Sequence, residues 1–431
     1  MNIDKAIMST TLAAICGLGF AAEGLDRPYV RVHGMDLTPM GRFSYQNDRT
    51  VLHPNAWVSV GFDSNTFQTE DNEEASVVTE AVAGIDLRHF ASESSLLELE
   101  FDVGYRQYIG DDVDTNDDGV DDLEISEKGG LLLDLDLEYV KEGPIWQHNA
   151  TVRARRYDDP TIEQGISVLR YDYGGSYEAL YGGLFGRIPG RVFVDVIDYD
   201  EDDTGFDYDA RDRMTYGLES GLEYDRSETS TVSGRLRVSQ TVYSEDDGTP
   251  WQDSFNVMAY GGYEFVVQDV HEFDARLGAE MRSFEDAYSD GSQGGLTYDD
   301  EDVIDVIGSL DYAFVYDTDS RIKARLQRSI EDGYASNAVV VNLVSVGATK
   351  RLPNDLELLG SLTYHNRQSS GPEEGEAESN SYEVKAGSSY YFRQGMALQG
   401  LLTYRMQDAE VVGSDTEWDQ ILANVAFAAA F

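Results

Sequence analysis

From Ala56 to the end of the chain, apolar and polar residues alternate in segment after segment, the period of a strand with two unlike faces. The clearest case is Leu131 to Tyr139, where Leu131, Leu133, Leu135, Leu137 and Tyr139 share one face and Asp134, Asp136 and Glu138 the other. The segment before it repeats the rule, with Leu97, Leu99, Phe101, Val103 and Tyr105 set against Glu98, Glu100, Asp102 and Arg106. Val232 to Val242, Phe255 to Phe265, Phe273 to Met281, Ile304 to Tyr316, Leu356 to Tyr364, Tyr382 to Phe392 and Leu398 to Met406 follow it too. In the last segment, Asp419 to Phe431, Ile421, Ala423, Val425, Phe427, Ala429 and Phe431 form one face, and Gln420 and Asn424 stand on the other before it thins to alanine. About eighteen such segments, each of roughly 10 to 14 residues, predict an all-β chain of antiparallel strands running up and down.

A strand half-buried in water rarely needs a full row of acids on one side, so the connections are the next test. Counting back from Phe431, short turns fall at Arg393-Gln394-Gly395, Leu352-Pro353-Asn354, Asp317-Thr318-Asp319, Gln268-Asp269-Val270, Arg226-Ser227-Glu228, Gly183 to Gly190, Glu142-Gly143-Pro144 and Ser92-Glu93-Ser94. Between them lie longer acidic stretches, among them Asp408 to Glu417, Gln368 to Asn380, Glu285 to Asp302, Asp200 to Asp212 and Ile109 to Glu127, with Glu331 to Asn337 the short exception. A soluble sandwich has no reason to sort its turns by length. No internal run approaches the roughly 20 apolar residues of a membrane helix, and a closed sheet is the other structure that satisfies every backbone group in lipid. The expectation is a transmembrane antiparallel up-and-down β-barrel with short periplasmic turns and long acidic extracellular loops. Aromatic girdles are expected from Trp146, Phe392, Phe90 and Phe431 at the periplasmic ends and Tyr105, Tyr243, Tyr364, Tyr404 and Trp418 at the outer ends.

Composition agrees: 27 Tyr and 41 Gly against 9 Pro suit many strands better than a helical bundle. Residues 1–22 read as a signal peptide, with Lys5 before an apolar run that closes on Gly19-Phe20-Ala21. Residues 23–55, broken by Arg27-Pro28, Thr38-Pro39 and His53-Pro54, read as a periplasmic N-terminal extension, and 56–431 as the barrel. The single cysteine, Cys16, lies inside the apolar run, and Ile15 stands where a lipoprotein signal wants a small residue. A net charge of −49 excludes nucleic acid as a partner, because phosphates require a basic footprint.

If the apolar faces meet lipid, the polar faces line the lumen. The acids Glu98, Glu100, Asp102, Asp134, Asp136 and Glu138 cluster on early strands, and Arg153, Arg155, Arg235, Arg237, Arg321, Lys323 and Arg325 on others. Such charges either form a transverse field that selects polar solutes or pair with one another inside the barrel. At about eighteen strands the lumen is too wide for side chains alone to fill, which favours a solvated pore. The run Asp112 to Asp122 carries Asp114, Asn116 and Asp118 at alternate positions before Gly119, with Asp122 beyond, an oxygen-rich turn suited to Ca²⁺. No cofactor is required, and a solvated acidic loop is the other reading of that run. The six histidines are scattered without metal-ligand or Ser-His spacing, and only His365 stands beside an outer loop.

The final strand, with Phe427 and a terminal Phe431, resembles the C-terminal assembly signal of bacterial outer-membrane β-barrels. That resemblance implies recognition by the barrel-assembly machinery and a setting of outer-membrane lipid and lipopolysaccharide. Ala56 to Phe67, through Gly61, Phe62, Asp63, Ser64, Asn65 and Phe67, resembles the opening strand of a family of uncharacterised outer-membrane barrels encoded with exopolysaccharide or exosortase systems. The resemblance implies passage of polar solutes or secreted polysaccharide, export components as partners, and no catalytic residues. Two other functions compete: a structural or adhesion barrel with calcium-loaded acidic loops, and an outer-membrane hydrolase.

Overall fold

The computed structural model describes residues 30–40, 45–66, 75–110, 129–160, 167–183, 186–199, 212–244, 253–268, 270–284, 302–317, 320–331, 338–369, 378–411 and 414–431. Three short strands come first: β1 (Val30–Val32), β2 (Met35–Leu37) and β3 (Tyr45–Gln46). The long strands are β4 (Thr50–Asp63), β5 (Ser76–Ser92), β6 (Ser95–Ile109), β7 (Gly130–Glu142), β8 (Trp146–Pro160), β9 (Ser167–Gly183), β10 (Gly186–Tyr199), β11 (Arg213–Ser227) and β12 (Ser230–Tyr243). They continue as β13 (Ser254–Val267), β14 (His271–Phe284), β15 (Val303–Asp317), β16 (Ser320–Glu331), β17 (Val339–Arg351), β18 (Leu356–Ser369), β19 (Glu378–Arg393), β20 (Met396–Val411) and β21 (Ser414–Ala430). Each strand from β4 onward pairs antiparallel with the next, and β21 returns to β4, so among the described residues eighteen strands close one barrel.

Alternation sets the two faces. Val58, Val60 and Phe62 on β4, Leu218 and Leu222 on β11, Ile304 and Val306 on β15, and Ile421, Val425 and Phe427 on β21 are exposed apolar side chains at every second position. Such a band is stable only against hydrocarbon, which places these residues outward and their neighbours in the lumen. At the short-turn end Trp146 packs on Tyr181 at 4.7 Å and Phe392 lies 6.2 Å from Phe427, while Tyr364 and Tyr382 meet at a tilt, 4.9 Å apart, at the other. Tyr243 and Trp418 depart from the expected girdle. Both lie at inward parity and are buried, so alternation overrides their position near a rim.

Two short turns repeat one design. In Ser92-Glu93-Ser94-Ser95 and Ser227-Glu228-Thr229-Ser230, the first serine Oγ meets that of the last serine, at 2.6 and 2.7 Å, and accepts from the third residue's N–H at 3.3 Å in each. Three expected boundaries shift. The barrel opens at Thr50 rather than Ala56, and Pro54 fits there because its missing N–H falls where β21 runs out: Phe431 N donates to Pro54 O at 2.8 Å with no return bond needed. Gly186 to Gly190 belongs to β10, and β20 and β21 stay paired out to Val411 and Ser414, shortening the connections expected at Gly183 to Gly190 and Asp408 to Glu417.

The region expected to be a periplasmic extension lies partly inside the barrel. β1 and β2 form a hairpin around His33 and Gly34, whose φ values of 49° and 76° match the primed turns that two-residue hairpins favour. Val32, Met35 and Leu37 bury against Ala397, Ala428 and Ala430, with Trp57 and Tyr391 beside them. All five barrel residues point inward, so the alanines that end the last strand are small because the hairpin covers them. Met40 N donates to Ala430 O at 3.1 Å and Gln394 Nε2 to Pro39 O at 2.9 Å, anchoring the segment at the periplasmic rim.

Candidate pore lining

The acids expected in the lumen stand in direct opposition. Glu98 faces Glu138, Glu100 faces Asp136 and Asp102 faces Asp134 across the β6–β7 ladder. Like charges directly opposite on a sheet are destabilising, so this wall needs cations, and the next strands supply them. Arg88 Nη2 on β5 lies 2.6 Å from Glu98 Oε1; Arg106 on β6 is spent elsewhere, its Nε 2.5 Å from Glu80 Oε1. Arg155 donates to Asp134 at 3.0 Å and to Asp136 at 2.7 Å, and Asn149 Nδ2 donates to Glu138 at 2.8 Å. The acids and Arg153 and Arg155 therefore do not face one another across the pore. Arg155 is the register partner of Asp134, and Arg153, the register partner of Asp136, pairs with Asp195 at 2.7 Å.

The second half of the barrel carries a denser arrangement. Gly221 on β11 has no side chain, and a Cβ there would meet Arg235 Cδ at 2.8 Å, so Arg235 lies flat across the wall at that point. It reaches Glu178 at 3.6 Å, Glu219 at 3.4 Å and Glu223 at shorter range still. Tyr260 Oη donates to Glu219 at 3.3 Å. Further round, Arg325 pairs with Asp311 at 2.5 Å, Arg328 with Asp305 at 2.5 Å, and Arg321 with Glu272 at 3.5 Å; Lys323 shares the inward parity of Arg321 and Arg325. This wall encloses a recess of about 510 Å³ lined by Arg191, Arg235, Arg237, Tyr260, Glu280 and Arg325 among others. Sequence reading missed Arg191, Glu178, Glu219, Tyr260 and Glu280. The available signal was glycine at inward positions of β11, Gly217 and Gly221, which leaves room for long side chains from neighbouring strands.

Where the two ends of the chain meet, a polar network closes the cylinder. The β4–β21 ladder runs from Ala430 opposite Asn55 to Leu422 opposite Asp63 and then stops, although β21 begins at Ser414. Beyond it Ser64 N donates to Ile421 O at 3.0 Å, Ile421 N to Ser64 Oγ at 2.7 Å, and Asn65 Nδ2 to Asp419 O at 3.1 Å. Gln420 Nε2, buried in the lumen wall, donates to both Asp63 oxygens at 2.9 and 3.0 Å and to Asn65 O at 3.0 Å. Asp63-Ser64-Asn65, the tract that carried the family resemblance, is thus the latch of the barrel.

A closed eighteen-strand cylinder with an apolar outer band and a charged inner wall is the form of a membrane pore, and the sequence agrees over nearly all of it: residues 49–429 match one family profile, bounds that coincide with β4 to β21. The chain belongs to the family described as "Putative beta-barrel porin 2". As a barrel of this porin family it resides in the outer membrane and forms a solute pore. No curated protein matches the sequence. Among solved structures, the outer membrane protein OpdK from Pseudomonas aeruginosa is 10% identical, with 88% of this chain and 99% of that chain covered at a TM-score of 0.47. OccAB4 from Acinetobacter baumannii is 11% identical, with 90% and 100% covered at 0.44, and OccK11 (OpdR) from P. aeruginosa 11% identical, with 88% and 96% covered at 0.40.

The two aromatics expected to serve as an assembly signal lie at the short-turn end, Phe427 on the lipid face and Phe431 bonded to Pro54. The expected calcium ligands Asp112, Asp114, Asn116, Asp118 and Asp122 lie outside the described residues. Among the described residues no group of His, Cys, Asp and Glu is placed to hold a metal ion.

Proposed function

We propose that this porin passes small hydrated polar solutes, and that the charged wall rather than a narrow ring of one sign sets its preference. The observation that carries this is the pairing of charges along the wall: Arg155 with Asp134 and Asp136, Arg325 with Asp311, and Arg235 with three glutamates. Such a surface stays wet, because each ion keeps one side in the lumen, and it presents donors and acceptors to solutes of either sign. Passage of secreted polysaccharide, with export components as partners, rests on the opening-strand resemblance. The β1–β2 hairpin within the periplasmic half favours small solutes over a polymer.

The test is reconstitution of the purified protein in planar bilayers with KCl on both sides. Discrete conductance steps support the reading, and repeated incorporation of folded, heat-modifiable protein without channels refutes it. Vesicle swelling in neutral sugars of increasing size then sets the size limit. Entry of large oligosaccharides at the rate of monosaccharides would favour the polymer role instead.

A further inference from the structure

We infer that Arg191, Phe193 and Arg237 form a binding subsite for a carboxylate-bearing solute on the lumen wall, an inference that rests on the pore reading and deepens it. The site begins with a missing side chain. Phe193 on β10 and Gly217 on β11 are register partners, and a Cβ at Gly217 would stand 2.7 Å from the ring's Cζ and 2.5 Å from Val238 O. With glycine there, the ring lies down across β11 and is almost wholly buried. Two guanidinium groups cover it, that of Arg237 at 4.2 Å from the ring centroid and that of Arg191 at 5.6 Å. Stacking on a ring face holds a guanidinium by its π surface and leaves its in-plane N–H donors unspent.

Arg191 stands between Glu178 and Glu219, its register partners on the two neighbouring strands, but both carboxylates turn to Arg235, at 3.6 and 3.4 Å. Among the described residues neither Arg191 nor Arg237 is within ion-pair distance of an acid, whereas Arg153, Arg155, Arg187, Arg235, Arg325 and Arg328 all are. The acids near Arg237 are Glu219, Glu280 and Asp195. Glu219 is taken by Arg235 and Tyr260, Glu280 pairs with Arg282 at 3.4 Å, and Asp195 pairs with Arg153 at 2.7 Å. Two cations that share one aromatic floor and open into the same recess of about 510 Å³ are therefore left with a surplus of donors. A planar oxyanion answers such a pair, since guanidinium forks match carboxylate geometry, and the recess is of the size that holds a small organic molecule. The carboxylate would sit between the guanidiniums, with the body of the solute facing Tyr260 and the open lumen.

Sodium glucuronate, a hydrated sugar carboxylate, is the probe, with glucose as the neutral control. Titrated by calorimetry into the full chain in detergent micelles, the wild type should bind glucuronate saturably and glucose not at all. R191Q and R237Q should each weaken glucuronate binding by about ten- to a hundredfold, as loss of a charge-assisted bond requires. R191Q carries the decision if R237Q fails to fold, because Arg191 is exposed in the lumen. No saturable binding by wild type, equal binding of glucose, or unchanged affinity in R191Q overturns the subsite. Conductance is read separately on the same preparations. Channels without glucuronate binding sink the subsite alone, and binding without channels sinks the pore reading alone.

Discussion

Removing the amide of Gln420 should loosen the barrel at its seam and nowhere else. This one nitrogen donates to both oxygens of the buried Asp63 carboxylate and to Asn65 O. The seam depends on it because the β4–β21 ladder ends at Leu422 opposite Asp63, so beyond that point β21 is laddered to β20 alone and the latch ties it to the β4 side. Gln420→Leu keeps the volume and deletes the donor. A hydrogen bond to a charged group contributes about 1.5–3 kcal/mol, and a buried acceptor stripped of its donor adds a desolvation cost, so a loss of about 2–4 kcal/mol is expected. Asp63→Asn keeps one acceptor oxygen and should cost less. Because the two side chains touch, their effects should couple by about 1–3 kcal/mol in a double-mutant cycle. Urea unfolding of the four variants in micelles gives the energies, and amide exchange at Ser64 and Ile421 localises them. If the single losses add to within about 0.5 kcal/mol, or if exchange rises equally at the β12–β13 ladder, the latch is not what closes this barrel.

Charge reversal separates Arg237 from Arg235: R237E should move the reversal potential in a KCl gradient toward cations in a folded channel, while R235E sets a fourth carboxylate among Glu178, Glu219 and Glu223 and should chiefly lower the midpoint of urea unfolding. Equal behaviour of the two would refute the distinction. Arg155→Met leaves Asp134 and Asp136 opposite Asp102 and Glu100 without their shared cation; since these groups are half exposed to the lumen, a loss of about 1 kcal/mol is expected from urea unfolding, and none at all would mean the wall acids are fully screened. Deleting residues 30–40 should raise unitary conductance by clearing the periplasmic half of the lumen, and an unchanged step size would place the hairpin outside the conducting path. Burial against Trp57 holds the His33 pKa below its ordinary 6.5, with Glu80 opposing that shift and Arg106 reinforcing it. The undocked hairpin then binds more protons than the docked one, so docking is fully stable above pH 6.5 and weakens as pH falls below it. Fluorescence of Trp57, with the other tryptophans replaced, should report release on acidification, and H33F should abolish the pH dependence.

Much of this protein follows from its sequence alone, because a strand in a membrane obeys a period of two. The faces of Leu131 to Tyr139 and Leu97 to Tyr105, the antiparallel order and the number of strands are local properties that lipid on one side and water on the other impose on every segment. The inward parity of Glu98, Asp134, Arg155 and Arg237, opposite the exposed apolar positions of their strands, is legible for the same reason. Which of them touch is not, because it depends on the register between strands far apart in sequence. Alternation alone cannot tell that Arg155 lies beside Asp134 while Arg237 lies over Phe193. That follows from where each ladder begins and from glycines such as Gly217 that let side chains lie across a neighbouring strand. Asp63-Ser64-Asn65 reads in sequence as a short polar tract. Its partner, Gln420, stands at the far end of the chain, and only closure of the cylinder brings the two together. The alanines that end the last strand, with no evident purpose in one dimension, are the space into which the chain's own N-terminal hairpin folds.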